Sequence, residues 1–118
     1  MFTVEEADAE LDELRERLPR LREARDALIA SSRRISDAVA GDGGGVAGSE
    51  WFEHQEALKV EVLFLADRGI LLRDPDIGLV DFPAEREGRR VFLCWRLGEE
   101  QVGWFHETSG GYTGRRPL

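Results

Sequence analysis

Three short runs of aromatic and β-branched residues between positions 79 and 107 constrain the fold more than any other feature of the sequence. The runs cover residues 79–83, 91–97 and 102–107, and polar segments that contain glycine separate them. Runs of this length and composition are typical of β-strands joined by hairpin loops. They predict a three- to four-stranded antiparallel β-meander, in which residues 70–73 form the additional edge strand.

The predicted register decides which side chains share a face of this sheet. Pairing Pro83 with Arg89 and Leu97 with Val102 sends alternate residues to opposite faces. One predicted face carries Leu79, Asp81, Val91, Leu93, Trp95, Leu97, Val102, Trp104 and His106, and the other carries Val80, Phe82, Phe92, Cys94, Arg96, Phe105 and Glu107. Because both faces are largely apolar, the sheet needs two covers. The upstream helices supply one, and the C-terminal tail or a second subunit supplies the other.

The first third of the chain carries the pattern of a long amphipathic helix. Thr3 and Glu6 match a capping box, and apolar residues then recur at alternating steps of three and four from Val4 to Val39, with interruptions at Arg25 and Ser32. Pro19 lies inside this heptad seam, where it removes a helix hydrogen bond, so we predict a local kink or break. A single straight helix would be about 54 Å long and would overhang a compact domain of this size. Either Pro19 folds the helix back, or the seam packs against another copy.

The remaining segments complete one predicted α+β domain. Glycine-rich residues 41–48 are typical of a flexible connector, and a second apolar stripe ends near Gly69. We predict an antiparallel helical hairpin over residues 3–69, the meander over residues 70–107, and an irregular tail over residues 108–118. A chain of 118 residues is long enough for a single domain with a modest core.

Charge and cysteine content narrow the classes of function. The net charge of −8 repels nucleic-acid phosphate and the arginine pairs are isolated, so we expect no nucleic-acid binding. The longest apolar run, residues 62–66, is too short to span a membrane, and no signal peptide is visible. Cys94 is the single cysteine, so no intrachain disulfide can form and we expect a cytoplasmic protein.

An ordered set of motifs resembles one protein family. The motifs are Met1-Phe2-Thr3-Val4-Glu5-Glu6-Ala7, Gly78-Leu79-Val80-Asp81-Phe82-Pro83, Leu93-Cys94-Trp95-Arg96-Leu97-Gly98, His106-Glu107 after an aromatic residue, and Gly111-Tyr112-Thr113-Gly114-Arg115-Arg116-Pro117. Together they resemble the uncharacterised bacterial domain-of-unknown-function family numbered 2203, over nearly the whole chain. The resemblance implies no activity, and no catalytic residue carries over from it.

Asp81 and His106 are the polar pair on the more aromatic predicted face. Such a pair can act as a general-base dyad or supply two metal ligands. In the predicted register they lie two strands apart, with backbones about 10 Å from each other, too far for a direct hydrogen bond. A metal or a ligand could bridge them if the register slipped. Because of the predicted distance between them, we favour separate structural roles, in which each residue hydrogen-bonds to a nearby backbone group.

Two further residues attract attention on the second predicted face. Arg96 could bind an anionic ligand, although an ion pair with Glu107 or stacking on Phe105 is the simpler interpretation. Cys94 lies in an apolar strand without a basic neighbour in sequence, which favours core packing over a nucleophile. No ligand spacing indicates a metal centre, so we predict neither metal nor cofactor.

These patterns favour a non-catalytic interaction or scaffold module over an enzyme. We expect a homodimer formed through the helical seam, the second sheet face, or both. The alternative is a small protein that binds an anionic ligand or a metal with Asp81, Arg96, His106 and Glu107.

Overall fold

The structure is a computed structural model that describes residues 1–41 and 47–118, and it has the predicted α+β architecture. The sheet has five strands in these residues, against the three or four that were predicted. The helices are α1 (Val4–Asp8), α2 (Leu11–Gly41) and α3 (Ala47–Arg68), and the strands are β1 (Leu71–Asp74), β2 (Leu79–Arg86), β3 (Arg89–Arg96), β4 (Trp104–Glu107) and β5 (Arg116–Pro117), with a short 3-10 helix at Tyr112–Gly114 before β5.

The helical region begins as predicted but is interrupted at a different place. The Glu6 amide donates to Thr3 Oγ1 at 3.1 Å and the Thr3 amide donates to Glu6 Oε1 at 2.9 Å, which is the capping box. The first helix ends at Asp8 and α2 begins at Leu11, so the break lies at residues 9–10. Of the predicted kink or break at Pro19, the break is absent, because α2 continues through this exposed residue.

The long helices α2 and α3 pack side by side as the predicted helical hairpin. Between them Arg17 Nη1 donates to the buried carboxylate of Glu61 at 3.2 Å. The middle of the predicted connector, residues 42–46, lies outside the described residues, while Gly41 ends α2 and Ala47 begins α3. No helix in the described ranges combines the length and the apolar character needed to cross a membrane.

The sheet is an antiparallel meander in which the strands lie in chain order. Its register differs from the predicted one, because Asp81 pairs with Cys94 and Phe92 pairs with His106. The predicted pairs, Asp81 with Val91 and Leu93 with His106, are therefore wrong. A shift by an odd number of residues moves a strand's side chains to the opposite face relative to its neighbours.

The β2–β3 turn explains the difference in register between these two strands. Only Glu87 and Gly88 connect the two strands, with φ of 53° and 76°, and Arg86 pairs with Arg89. Positive φ at both central residues is the geometry of a type I′ turn, whose twist matches that of an antiparallel pair. The tight turn extends β2 beyond Pro83 and so changes the partner of every residue on β3.

One face of the sheet carries the hydrophobic core. It presents Val80, Phe82, Ala84, Val91, Leu93, Trp95 and Phe105 to the helices. The N-terminal half of the heptad seam, including Leu14, Leu18 and Leu21, is buried in the same cluster. These seam residues therefore pack against the sheet of their own chain.

The C-terminal segment covers the opposite face. Strand β5 pairs with β4, and the Arg115 guanidinium lies 4.8 Å from the ring centres of both Trp104 and Tyr112. The predicted irregular tail is thus docked, with a short strand of its own. Its cover leaves a cavity over the centre of β2, β3 and β4.

Candidate functional site

Three buried side chains with metal-ligating atoms meet on the covered face of the sheet. Asp81 lies on β2, Cys94 on β3 and His106 on β4, and their exposed fractions are 1%, 1% and 3%. One carboxylate oxygen, the thiol sulfur and one imidazole nitrogen all lie within 4.8 Å of one another. Each strand of the central meander thus contributes one donor atom to a single cluster.

The side chains of Asp81 and His106 are in direct contact. His106 Nε2 lies 2.9 Å from Asp81 Oδ2. The sequence correctly placed the two residues on one face, but the prediction that they are too far apart for a hydrogen bond is wrong. With the actual register, the small side chain of Cys94 lies on the strand between them, so the longer side chains reach across it.

The imidazole of His106 is oriented by the backbone. Its Nδ1 lies 2.8 Å from the carbonyl oxygen of Glu107. A carbonyl oxygen can only accept, so Nδ1 carries a hydrogen and Nε2 is directed toward the carboxylate. Metal-binding histidines characteristically donate their second ring N–H in this way, which fixes the tautomer and the ring orientation.

Asp81 has one oxygen engaged and one oxygen free within the described part of the chain. Oδ2 accepts from Arg73 Nε at 2.8 Å as well as facing His106. Oδ1 is buried without a hydrogen-bond partner. A buried carboxylate oxygen without a partner is costly, and a bound cation is one way to compensate for it.

Cys94 has the character of a neutral thiol. Burial raises the pKa of the Cys94 thiol to about 11, and the neighbouring Asp81 carboxylate acts in the same direction. A thiol with this pKa is protonated at neutral pH and is a poor nucleophile. Cys94 is buried, as its apolar strand predicts, but its pairing with Asp81 could not be predicted from sequence alone.

A cavity of about 310 Å³ opens beside the cluster. Arg73 enters from β1 and Leu79 from β2, while the loop after β4 closes the other side. The lining residues are Arg73, Leu79, Asp81, Cys94, His106, Thr108, Gly110, Gly111 and Tyr112. A small molecule in this cavity would lie next to the three donor atoms.

The other two predicted site residues do not join the cluster. Arg96 ends β3 on the same face and donates through Nη1 to the Tyr112 hydroxyl at 3.3 Å, so it supports the cavity wall from outside. The Glu107 carboxylate oxygen Oε1 lies 3.0 Å from Arg89 Nη1. Glu107 contacts His106 through its backbone carbonyl oxygen. The predicted pairing of Arg96 with Glu107 is therefore replaced by two different contacts.

A larger cavity lies elsewhere but has a different character. It measures about 510 Å³ and lies between α2 and the turn at Asp76. The charged groups around this cavity already have partners. Arg22 Nη1 donates to the Asp76 carbonyl oxygen at 2.9 Å, and Arg25 forms an ion pair with the Asp76 carboxylate. The cluster of Asp81, Cys94 and His106 is thus the better candidate for chemistry.

A protein-family model described as "Uncharacterized conserved protein" matches the chain over residues 1–118. No curated protein and no solved structure matches it. The whole-chain match confirms the resemblance found in the motifs, and its description assigns no chemistry to the three clustered side chains.

Proposed function

Because the chain belongs to the DUF2203 family of uncharacterised conserved proteins, its chemistry has to be argued from the site, and we propose that it binds a divalent transition-metal ion through Asp81, Cys94 and His106. The observation that carries the proposal is the convergence of oxygen, sulfur and nitrogen donors within 4.8 Å of one another. Donor atoms around one zinc ion lie roughly 3.5 Å apart, given zinc–ligand bonds of 2.0 to 2.3 Å. Small side-chain adjustments would bring the three atoms to that spacing.

Zinc fits this donor set best among the common divalent ions. A thiolate and an imidazole together favour zinc over magnesium or calcium, which prefer oxygen ligands. Three protein ligands beside a cavity also match zinc centres that keep one position open for water or substrate. We also propose that the protein is cytoplasmic, where Cys94 would remain reduced and able to bind zinc.

The surrounding groups support this assignment. The Glu107 carbonyl holds His106 with Nε2 toward the cluster, and Arg73 holds one oxygen of Asp81 while the other oxygen has no partner in the described residues. Ligand-orienting contacts of this kind typically change metal affinity by about 10- to 100-fold when they are removed. By contrast, a general-base role for His106 has little support, because Nδ1 faces a carbonyl and Nε2 faces a carboxylate.

Zinc titration of ligand variants tests the proposal. We expect the purified protein to bind one zinc ion per chain by native mass spectrometry and chelator competition. Cys94→Ser, His106→Gln and Asp81→Asn should each weaken binding by about 100-fold or more, because each removes one of three ligands. Cobalt substitution should give thiolate charge-transfer absorption that Cys94→Ser abolishes.

The matched control is His54→Gln. His54 lies on α3 and its Nε2 is 3.5 Å from Glu50, far from the cluster in the fold. This variant should bind zinc like the wild type, and far-UV circular dichroism should show that all variants fold. Wild-type zinc affinity in Cys94→Ser, or the absence of zinc binding by a folded wild type, would contradict the proposal.

A second candidate function is self-association through the outer face of α3. Phe52, Glu56, Lys59 and Leu63 recur at steps of four, three and four, so they share one face, and all four are exposed. In an antiparallel pairing of two copies of α3, Phe52 meets Leu63 of the second copy and Glu56 meets its Lys59. This self-complementary pattern of apolar and opposite charges supports a two-fold homodimer.

A further inference from the structure

We propose that the cavity beside the metal cluster binds a small organic carboxylate, whose carboxylate group contacts the metal and Arg73. This inference rests on the proposed metal function and adds the class of ligand. The charge around the cavity, the free donors on its wall and its size support a ligand of this class.

The net charge of the metal-loaded site is positive and favours the binding of an anion. A divalent cation together with the Asp81 carboxylate, a Cys94 thiolate and the Arg73 guanidinium leaves one uncompensated positive charge. Arg96 lies just outside the cavity wall, where it contacts Tyr112, while Arg115 stacks on the same ring with its charge paired to Glu99. A singly charged anion would neutralise this positive charge. The attraction is stronger here than at the surface, because charges in a partly buried cavity are screened less.

Arg73 provides the donors for such an anion. Its Nε is occupied by Asp81, while its terminal nitrogens have no hydrogen-bond or ion-pair partner in the described part of the chain. Its side chain is 44% exposed whereas that of Asp81 is 2% exposed, so Arg73 extends from the buried cluster to the cavity mouth. A guanidinium matches the two oxygens of a carboxylate with parallel N–H donors.

Tyr112 provides a second donor on the opposite wall. Its hydroxyl oxygen already accepts from Arg96 Nη1 at 3.3 Å, so its own hydrogen remains for another acceptor. The ring of Tyr112 and the side chain of Leu79 give the cavity an apolar part as well. A ligand with one carboxylate end and a short carbon chain satisfies both kinds of wall.

The volume limits the ligand to metabolite size. The cavity of about 310 Å³ is at the lower end of ligand-binding pockets. At about 30 Å³ for each water-sized group, it holds roughly ten non-hydrogen atoms. Nucleotides and peptides are too large for it, while short carboxylic acids fit.

Calorimetric titration of the zinc-loaded protein with pyruvate, acetate and inorganic phosphate tests the inference. We expect pyruvate to bind, and Arg73→Gln to weaken its binding by roughly tenfold or more because a charge-assisted contact is lost. Tyr112→Phe should have a smaller effect in the same direction. Zinc affinity is measured for each variant, so that loss of the metal is not mistaken for loss of the carboxylate site.

Arg90→Gln is the matched control. Arg90 is an exposed arginine on β3 outside the cavity, and its variant should bind pyruvate like the wild type. Zinc binding without binding of pyruvate or acetate would overturn this inference and leave the metal proposal intact. Arg73-dependent pyruvate binding by a protein that binds no zinc would overturn the metal proposal and, with it, the metal contact of the carboxylate proposed here. Tighter binding of phosphate than of pyruvate would overturn the assignment of a carboxylate.

Discussion

Arg115 shows how much of this structure depends on single side chains near the end of the chain. Its guanidinium is stacked between Trp104 and Tyr112, and its Nη2 donates to Glu99 Oε1 at 2.7 Å. Its side chain is only 11% exposed, which an isolated arginine pair in the sequence does not predict. One partly buried ion pair thus attaches the tail to the loop between β3 and β4.

This ion pair predicts a pH-dependent loss of stability in Glu99→Gln. Burial of the Glu99 carboxyl opposes ionisation, but hydrogen bonds from Arg115 and from the Arg96 amide lower its pKa overall. A lowered pKa stabilises the fold above the ordinary glutamate value, near pH 4.3, and this contribution is lost as the pH falls through the lowered pKa. The variant should lose about 2 kcal/mol of unfolding free energy at pH 7 and progressively less toward pH 3.

Urea denaturation from pH 7 to pH 3 measures this difference. Glu100→Gln serves as the control, since the Glu100 side chain is exposed and only its carbonyl is used, by Arg15 Nη2 at 2.7 Å. Equal stability of the two variants at pH 7, or a loss in Glu99→Gln that does not change with pH, would contradict the prediction.

At the scale of secondary-structure elements, the existence of the helices and central strands was predictable and their register was not. The apolar runs identify the strands, and the capping box at Thr3 starts the first helix. The two-residue turn at Glu87 and Gly88 was missed because glutamate at positive φ is uncommon. That turn determines that Cys94, rather than Val91, lies opposite Asp81. The donor cluster depends on this turn and on the β3–β4 register, which pairs His106 with Phe92 rather than with Leu93, and sequence patterns revealed neither.

Pro19 within α2 leads to a prediction about the stability of the protein. The long helix α2 continues through it, because packing of Leu14, Leu18 and Leu21 in the core outweighs the lost hydrogen bond. Proline costs up to about 3 kcal/mol relative to alanine within a helix. Since the side chain is exposed, Pro19→Ala should raise the free energy of unfolding by about 1 to 3 kcal/mol in urea denaturation.

Arg20→Ala is the control for this change. Arg20 is the exposed neighbour on the same helix, and its substitution should alter stability by less than about 0.5 kcal/mol. A decrease in stability of Pro19→Ala would show instead that the backbone shape imposed by proline is needed for α2 to pack against the sheet.

At the scale of the whole molecule, the helical hairpin makes the protein elongated. Its extents are 61, 24 and 22 Å and its radius of gyration is 17.7 Å, against about 13 Å for a compact domain of this length. The predicted overhang is therefore present. The predicted homodimer remains a proposal, and the projecting helix α3 offers a surface for it, with Phe52 63% exposed and Leu63 47% exposed.

A charge swap on α3 tests the proposed dimer. If Glu56 meets Lys59 of a second copy, Lys59→Glu places like charges in contact and should raise the dimer dissociation constant by roughly tenfold, measured by analytical ultracentrifugation. The double variant Glu56→Lys with Lys59→Glu restores opposite charges and should recover the dimer.

Arg90→Glu controls for the change of net charge, because it lowers the net charge by two as Lys59→Glu does and Arg90 is exposed on β3, outside α3. It should associate like the wild type. A monomeric wild type at micromolar concentration, or a double variant that is no more dimeric than Lys59→Glu, would contradict the dimer proposed here.

The three tryptophans give this molecule optical reporters in two regions, with Trp51 in the hairpin and Trp95 and Trp104 in the sheet. Trp51 lies in α3 and donates to Ser32 Oγ at 2.9 Å, while Trp95 is fully buried in the sheet and donates to the Glu99 carbonyl at 3.0 Å. About 25 Å of helix separates Trp51 from the end of α3. Fluorescence of a Trp51→Phe variant would follow the sheet, and its difference from the wild type would follow the hairpin. Coincident transitions would mean that a projecting hairpin and the sheet that carries the site unfold as one cooperative unit.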